Sequence, residues 1–339
     1  MTGQAERVQV ERVPRKTWRG WPVLTLLVLS PFVAELQFGS TALSDVGGFL
    51  LEIGLYGSGA VAIRELARRS GRGWPAMLLL GFAYAVVEEG LTEPTWFNPG
   101  LFQHPLGVVA HVNTVYALFN AGYHAVWSIL LPIVLTEVLF PRVARDPWLG
   151  RTGLVVCAVL YAVFAAGMGV LFYLVFGPVA YHQPIHARPV PMLVAAVLGA
   201  LAVVAAFRLP ARAGSSTSAP GPWLVFLTGL AGGLLWFGLL IGSDSAGTLP
   251  QWTAVPAVLV ELAVPVAAAA VARRWTAAAS WSDRHRVALI AGAMLPQMLP
   301  GYQWLHAPGD IAFKIVLNVA MLALLATLAR RRGPADRVA

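Results

Sequence analysis

Ten apolar segments, each at least 18 residues long, dominate this chain, at approximately 21–38, 46–63, 74–91, 113–140, 152–177, 190–207, 223–242, 253–272, 287–305 and 311–329. A helix rises 1.5 Å per residue, so each segment is long enough to cross a hydrocarbon core of about 30 Å. Lipid offers no partner for an open backbone, and apolar runs of this length satisfy their own peptide groups only as helices. The fold class expected is all-α, a polytopic transmembrane bundle of about ten spans. With 58% hydrophobic and 12% charged residues, the composition lies well outside that of a soluble domain.

The placement of charge sets the expected topology. If the amino terminus is cytoplasmic, 22 of the 24 lysines and arginines fall on the inner side, which leaves Arg188 in an outer loop and Lys314 within a span. Both termini are therefore expected in the cytoplasm and the chain in the plasma membrane, with the lipid bilayer as its first partner. The net charge of +8 is spread over short inter-span clusters, so nucleic acid is not an expected partner. The domain reading has a basic tail (1–20), a six-span bundle (21–210), a flexible linker (211–222), a four-span bundle (223–330) and a second basic tail (331–339). A five-plus-five division would instead give inverted halves, with Glu89 answering Glu261. Cys157 is the single cysteine, which excludes an intrachain disulfide and a cysteine-based zinc cluster.

Ionisable residues gather at one depth. Counted from the basic end of each span, Glu88 and Glu89 lie at about 21–22 Å, Glu35 at about 21 Å, Glu52 and Glu261 at about 18 Å, and His124 and Lys314 at about 24 Å. Glu137 falls near the inner interface, where water can solvate it. Charges inside a bilayer are costly unless paired or wet, so the belt is expected to face a polar cavity. On an ideal α-helix the adjacent Glu88 and Glu89 point about 100° apart and cannot share one partner. In the fourth span Asn113, Asn120, His124 and Ser128 are spaced seven, four and four, one helical stripe level with the glutamates. Asn and Ser there suit a hydrogen-bonded seam between helices; a histidine adds proton transfer or metal ligation.

Glutamate and histidine at one depth suffice for a hydrolase in which Glu88 or Glu89 activates water beside His124, or for a divalent metal such as zinc on Glu89, His111 and His124. The pair Glu88-Glu89, followed by His124 on the next span, resembles the motifs of the CPBP intramembrane proteases, the family of CAAX prenyl endopeptidases and bacteriocin-processing proteins. That resemblance implies a glutamate base and a histidine partner, Glu88 or Glu89 with His124, acting on a peptide. Glu93 stands where the family pattern has arginine, Asn120 where it has phenylalanine, and His306-x-x-x-Asp310 is the formal match to its third motif. A proton- or ion-coupled transporter is the competing class, with Glu88, Glu89 and Glu261 as coupling sites. In either case Glu35, Glu52, Asn113, Asn120, Ser128, Glu261 and Lys314 are the expected lining of the polar cavity, for a peptide, lipid or small-molecule substrate reaching it from the membrane or the outer side. A non-catalytic scaffold, whose polar belt serves only assembly, is the third class.

Overall fold

The protein is described from a computed structural model, which covers residues 20–101, 105–209, 217–245 and 249–331. The amino-terminal tail through residue 19, residues 102–104, residues 210–216 with the first half of the linker, residues 246–248 and residues 332–339 lie outside it. Ten helical rods follow the ten apolar segments: α1 (Gly20–Gln37), α2 (residues 46–69), α3 (Trp74–Thr92), α4 (Thr114–Leu139), α5 (Arg151–Ala180), α6 (Pro189–Arg208), α7 (Pro222–Ser245), α8 (Gln251–Ala277), α9 (Asp283–Gln297) and α10 (Pro308–Arg330). Seven of them are both long and apolar enough to cross a membrane, and α7 adds a shorter apolar stretch. A two-stranded hairpin, β1 (Val108–Val109) with β2 (Val112–Asn113), precedes α4, and Ala110 and His111 turn it at positive φ. Val155, Val159, Val163 and Leu174 on α5, and Val190, Leu193, Val197 and Leu201 on α6, are exposed. So much outward apolar surface fits lipid and not water. The molecule is a multi-pass membrane protein.

Two expected boundaries shift. The second segment does not end at residue 63: α2 continues to Arg69 because Arg64 is fully buried and paired instead of marking the interface. Its guanidinium lies 2.7 Å from Glu65 Oε1 and 3.3 Å from Glu137 Oε1, donates to the Asp146 and Ala144 carbonyls at 2.7 Å each, and stacks 3.5 Å from the Trp148 ring. Arg68 closes the cluster on Glu137 at 2.5 Å. Glu137 is thus a buried clamp between α4, α2 and the following loop, and not a solvated interface residue. The ninth segment's helix stops early, at Gln297, and a 3-10 turn over Pro300–Gln303 follows, since Pro296 and Pro300 deprive the backbone of donors.

The expected six-span and four-span bundles share packing. One aromatic and aliphatic core joins Val33 of α1, Phe119 and Trp127 of α4, Trp236 and Phe237 of α7, Met294 of α9 and Met321 of α10. Trp127 Nε1 donates to the Ala293 carbonyl at 3.0 Å, and Gln297 Nε2 to the Val33 carbonyl at 2.6 Å. Within the back half, α7 and α9 cross at glycines: a Cβ on Gly292 would fall 2.2 Å from the Phe226 carbonyl oxygen. Small residues permit this backbone approach where lipid supplies no hydrophobic drive for association.

Candidate functional site: an acid-lined cavity on π-helical turns

Five of the rods widen from α- to π-helix, over Phe32–Gln37, Ile53–Gly57, Val86–Thr92, His124–Leu130 and Phe172–Ala180. Such turns are rare and concentrate at functional sites. Local chemistry accounts for several. Pro31 cannot donate inside α1. Pro132 leaves the Ser128 carbonyl without its helical donor, and Ser30 Oγ fills the place at 2.7 Å. In α3 the Glu88 carbonyl accepts from Glu93 N and from Thr92 Oγ1, both at 2.8 Å.

The π turn overturns the expectation that Glu88 and Glu89 cannot share a partner. More residues per turn bring neighbouring side chains closer in direction than an α-helix does, and an imidazole offers nitrogens on two edges. His124 lies between the two carboxylates, with Nδ1 3.2 Å from Glu88 Oε2 and Nε2 3.4 Å from Glu89 Oε1. The α4 stripe flanks the ring as the spacing implied: Asn120 Nδ2 is 3.1 Å from Nε2 and Ser128 Oγ 3.2 Å from Nδ1. Asn120 also donates to Glu89 Oε1 at 3.0 Å, and Thr95 Oγ1 donates to Glu89 Oε2. Rings of Tyr56, Tyr84 and Tyr123 enclose the imidazole at centroid distances of 5.8, 6.2 and 5.4 Å.

Around this pair opens a cavity of about 490 Å³. Six carboxylates line it, those of Glu35, Glu52, Glu88, Glu89, Glu93 and Glu261, together with His124, and no lysine or arginine does so among the described residues. Glu35 Oε1 accepts from Tyr56 Oη at 2.6 Å, and Glu52 Oε1 from Thr41 Oγ1 at 2.6 Å. Glu261 is 2% exposed, and neither carboxylate oxygen has a hydrogen-bond partner. Asn113 caps α4, accepting from Tyr116 N at 3.4 Å, and Asn113 and Asn120 complete the polar wall. Apolar and aromatic side chains make up the rest, with the exposed Tyr181 and Trp304 also on the lining. The loop after α3 plugs the bundle: Thr95, Trp96 and Phe97 are buried, and Trp96 Nε1 donates to Asn120 Oδ1 at 2.9 Å. Asn98 fastens it to the loop between α5 and α6 through the His186 N–H and carbonyl, at 2.9 and 3.1 Å.

Several expected members lie elsewhere. Ser128 is behind His124, off the cavity wall. Lys314, expected on the cavity lining, instead donates to the Gln37 and Phe38 carbonyls at 2.6 and 2.9 Å, because the end of α1 presents acceptors a buried ammonium satisfies. His111 is exposed at the hairpin turn, apart from Glu89 and His124, so the three expected metal ligands do not converge. Among the described residues no group of three His, Cys, Asp or Glu side chains is arranged to hold a metal ion. Asp310 binds Ser44 N and Oγ at 3.0 and 3.1 Å, and His306 is exposed, so neither belongs to the cavity. Glu93, Thr95 and Tyr56 were not legible as members. Their one sequence signal was proximity to the Glu pair, for Glu93 and Thr95, and level depth, for Tyr56.

Ten helices, an outward apolar surface and a buried acidic cavity define a polytopic membrane protein. The chain belongs to an uncharacterized membrane protein family, whose profile matches residues 24–332. No curated protein and no solved structure matches it. The family match lends no support to the likeness to CPBP proteases, and Glu93, Asn120 and the displaced His306 and Asp310 depart from that pattern.

Proposed function

We propose that the protein is a proton-linked carrier of the plasma membrane and that the acid cavity is its exchange site. The observation that carries this reading is the convergence of six carboxylates on one cavity with no lysine or arginine in its lining among the described residues. Buried carboxylates cannot all stay ionised and unpaired; protons or a bound cation must neutralise them. A cation that enters displaces protons, and protons that return displace the cation. The titratable groups facing the site are Glu35, Glu52 and Tyr56 from α1 and α2, Glu88, Glu89 and Glu93 from α3 and its loop, Tyr116, Tyr123 and His124 from α4, Tyr181 after α5, and Glu261 from α8. His124 lies between two of the acids, within 3.2 Å of Glu88 and 3.4 Å of Glu89. Interrupted helices around a buried site are a recurring feature of carriers. By the charge bias of the loops, the site lies in the outer half of the bilayer with both termini cytoplasmic.

The test is proton flux in proteoliposomes under an imposed cation gradient, read with an entrapped pH dye. Wild type is expected to exchange, and Glu261→Gln and Glu88→Gln to lose exchange while remaining monodisperse and folded. A wild-type protein that moves no protons under any cation gradient overturns the carrier.

A second reading, an intramembrane hydrolase, draws on the orientation of Glu89 by Thr95 and Asn120 beside His124. Its difficulty is that both imidazole nitrogens already face carboxylates. Under it Glu89→Gln and His124→Ala abolish turnover of a peptide or lipid while cation-driven flux is nil in wild type, and metal analysis of wild type beside His124→Ala reads any zinc-assisted version.

A further inference from the structure

We propose that the cavity binds a small organic cation, an alkylammonium or quaternary ammonium, with Glu261 as its counter-charge. For what is moved this rests on the carrier reading, but for what is bound it stands on the cavity alone. Glu261 is 2% exposed, lines the cavity and leaves both oxygens unpartnered, a buried acceptor aimed at an occupant that no side chain supplies. Lys314, the one lysine in the spans, is engaged by backbone carbonyls.

The walls decide between an inorganic and an organic occupant. Magnesium and calcium take six to eight oxygens in a tight shell, and no three acid or histidine side chains are arranged to hold a metal ion among the described residues. The carboxylates are instead distributed around a space of about 490 Å³ whose remaining wall includes Tyr116, Phe119, Phe172, Phe176 and Tyr181. That volume falls in the range for small-molecule sites. Aromatic faces and scattered acids suit a diffuse positive charge with a hydrocarbon skin, because ring faces attract a cation whose desolvation is cheap.

The experiment is calorimetric titration of tetraethylammonium into the full chain in nanodiscs, in a background of sodium chloride at matched ionic strength. Saturable binding that sodium and magnesium do not displace is expected, weakened about tenfold or more in Glu261→Gln and about threefold in Phe176→Leu. On wild type alone, carbodiimide labelling of Glu261, read by mass spectrometry, is expected to be blocked by tetraethylammonium and not by sodium. Absence of binding, equal competition by sodium, unaltered affinity in Glu261→Gln, or unprotected labelling each overturns the proposal. Binding without any flux sinks the carrier and leaves this site standing; flux driven by sodium or protons without tetraethylammonium binding sinks this site and leaves the carrier.

Discussion

Lys314 and Glu261 are both single ionisable residues in apolar spans, and their fates differ because of what surrounds them. Lys314 is 1% exposed and finds two carbonyls at the end of α1; Glu261 is equally buried and finds none. Replacing Lys314 by methionine strands two buried acceptors, so a loss of about 1–3 kcal/mol is expected. A lowered melting temperature with unchanged exchange per folded molecule is the result that checks it. Glu261→Gln should leave the melting temperature equal or higher, since it removes a buried ionisable group that forms no hydrogen bond in the folded chain. The contrary case is Glu137, the carboxylate that Arg64 and Arg68 share, whose removal leaves the fully buried Arg64 with Glu65 as its one carboxylate partner and takes the partner of Arg68 away. Glu137→Ala is expected to cost about 3–5 kcal/mol, visible as loss of folded protein in a thermal melt.

At the scale of elements, the site depends on helices that are not regular. The apolar pattern located every rod, but the change from α to π in α1 to α5 follows from prolines, side-chain donors to carbonyls and packing between rods. A period-based reading assumes 100° per residue, which is why it separated Glu88 from Glu89. Gly39 shows a related constraint: its φ of +98° turns the chain out of α1, and a Cβ would meet Gly301 Cα at 2.9 Å. The α7–α9 crossing is similarly strict. Gly292→Leu cannot be seated against the Phe226 carbonyl, and we expect it to part the two helices, read as aggregation on size exclusion or a melting temperature reduced by several degrees.

For the whole molecule, the five π-helical stretches all lie in α1 to α5, with none in α6 to α10 among the described residues. The two halves are therefore unlike in the feature that builds the site, even though Glu89 and Glu261, the expected equivalents, line the same cavity. Acids from α1, α2, α3 and α8 surround one space, so under the proposed carrier protons and a cationic cargo would compete for the same oxygens. Cation binding, measured by titration across pH, should weaken as pH falls, because protonated carboxyls no longer attract the cation. Binding that strengthens on acidification would exclude carboxylates as the counter-charge.

Apolar length was sufficient for the all-α membrane class and the ten rods, and counting along each segment grouped Glu35, Glu52, Glu88, Glu89, His124 and Glu261, which line one cavity. These properties depend on transfer free energy and helical rise, which are local to each segment. Which acids meet His124, why Lys314 turns away from them, why Arg64 and Glu137 are buried, and that His111 stays outside were decided only by tertiary structure. Each depends on a partner distant in the chain or on a turn that departs from ideal helix. The pair Glu88-Glu89 belongs to both kinds: its place near the end of an apolar span is written in its own segment, and its shared histidine exists only because a π turn and a neighbouring helix place an imidazole between two carboxylates.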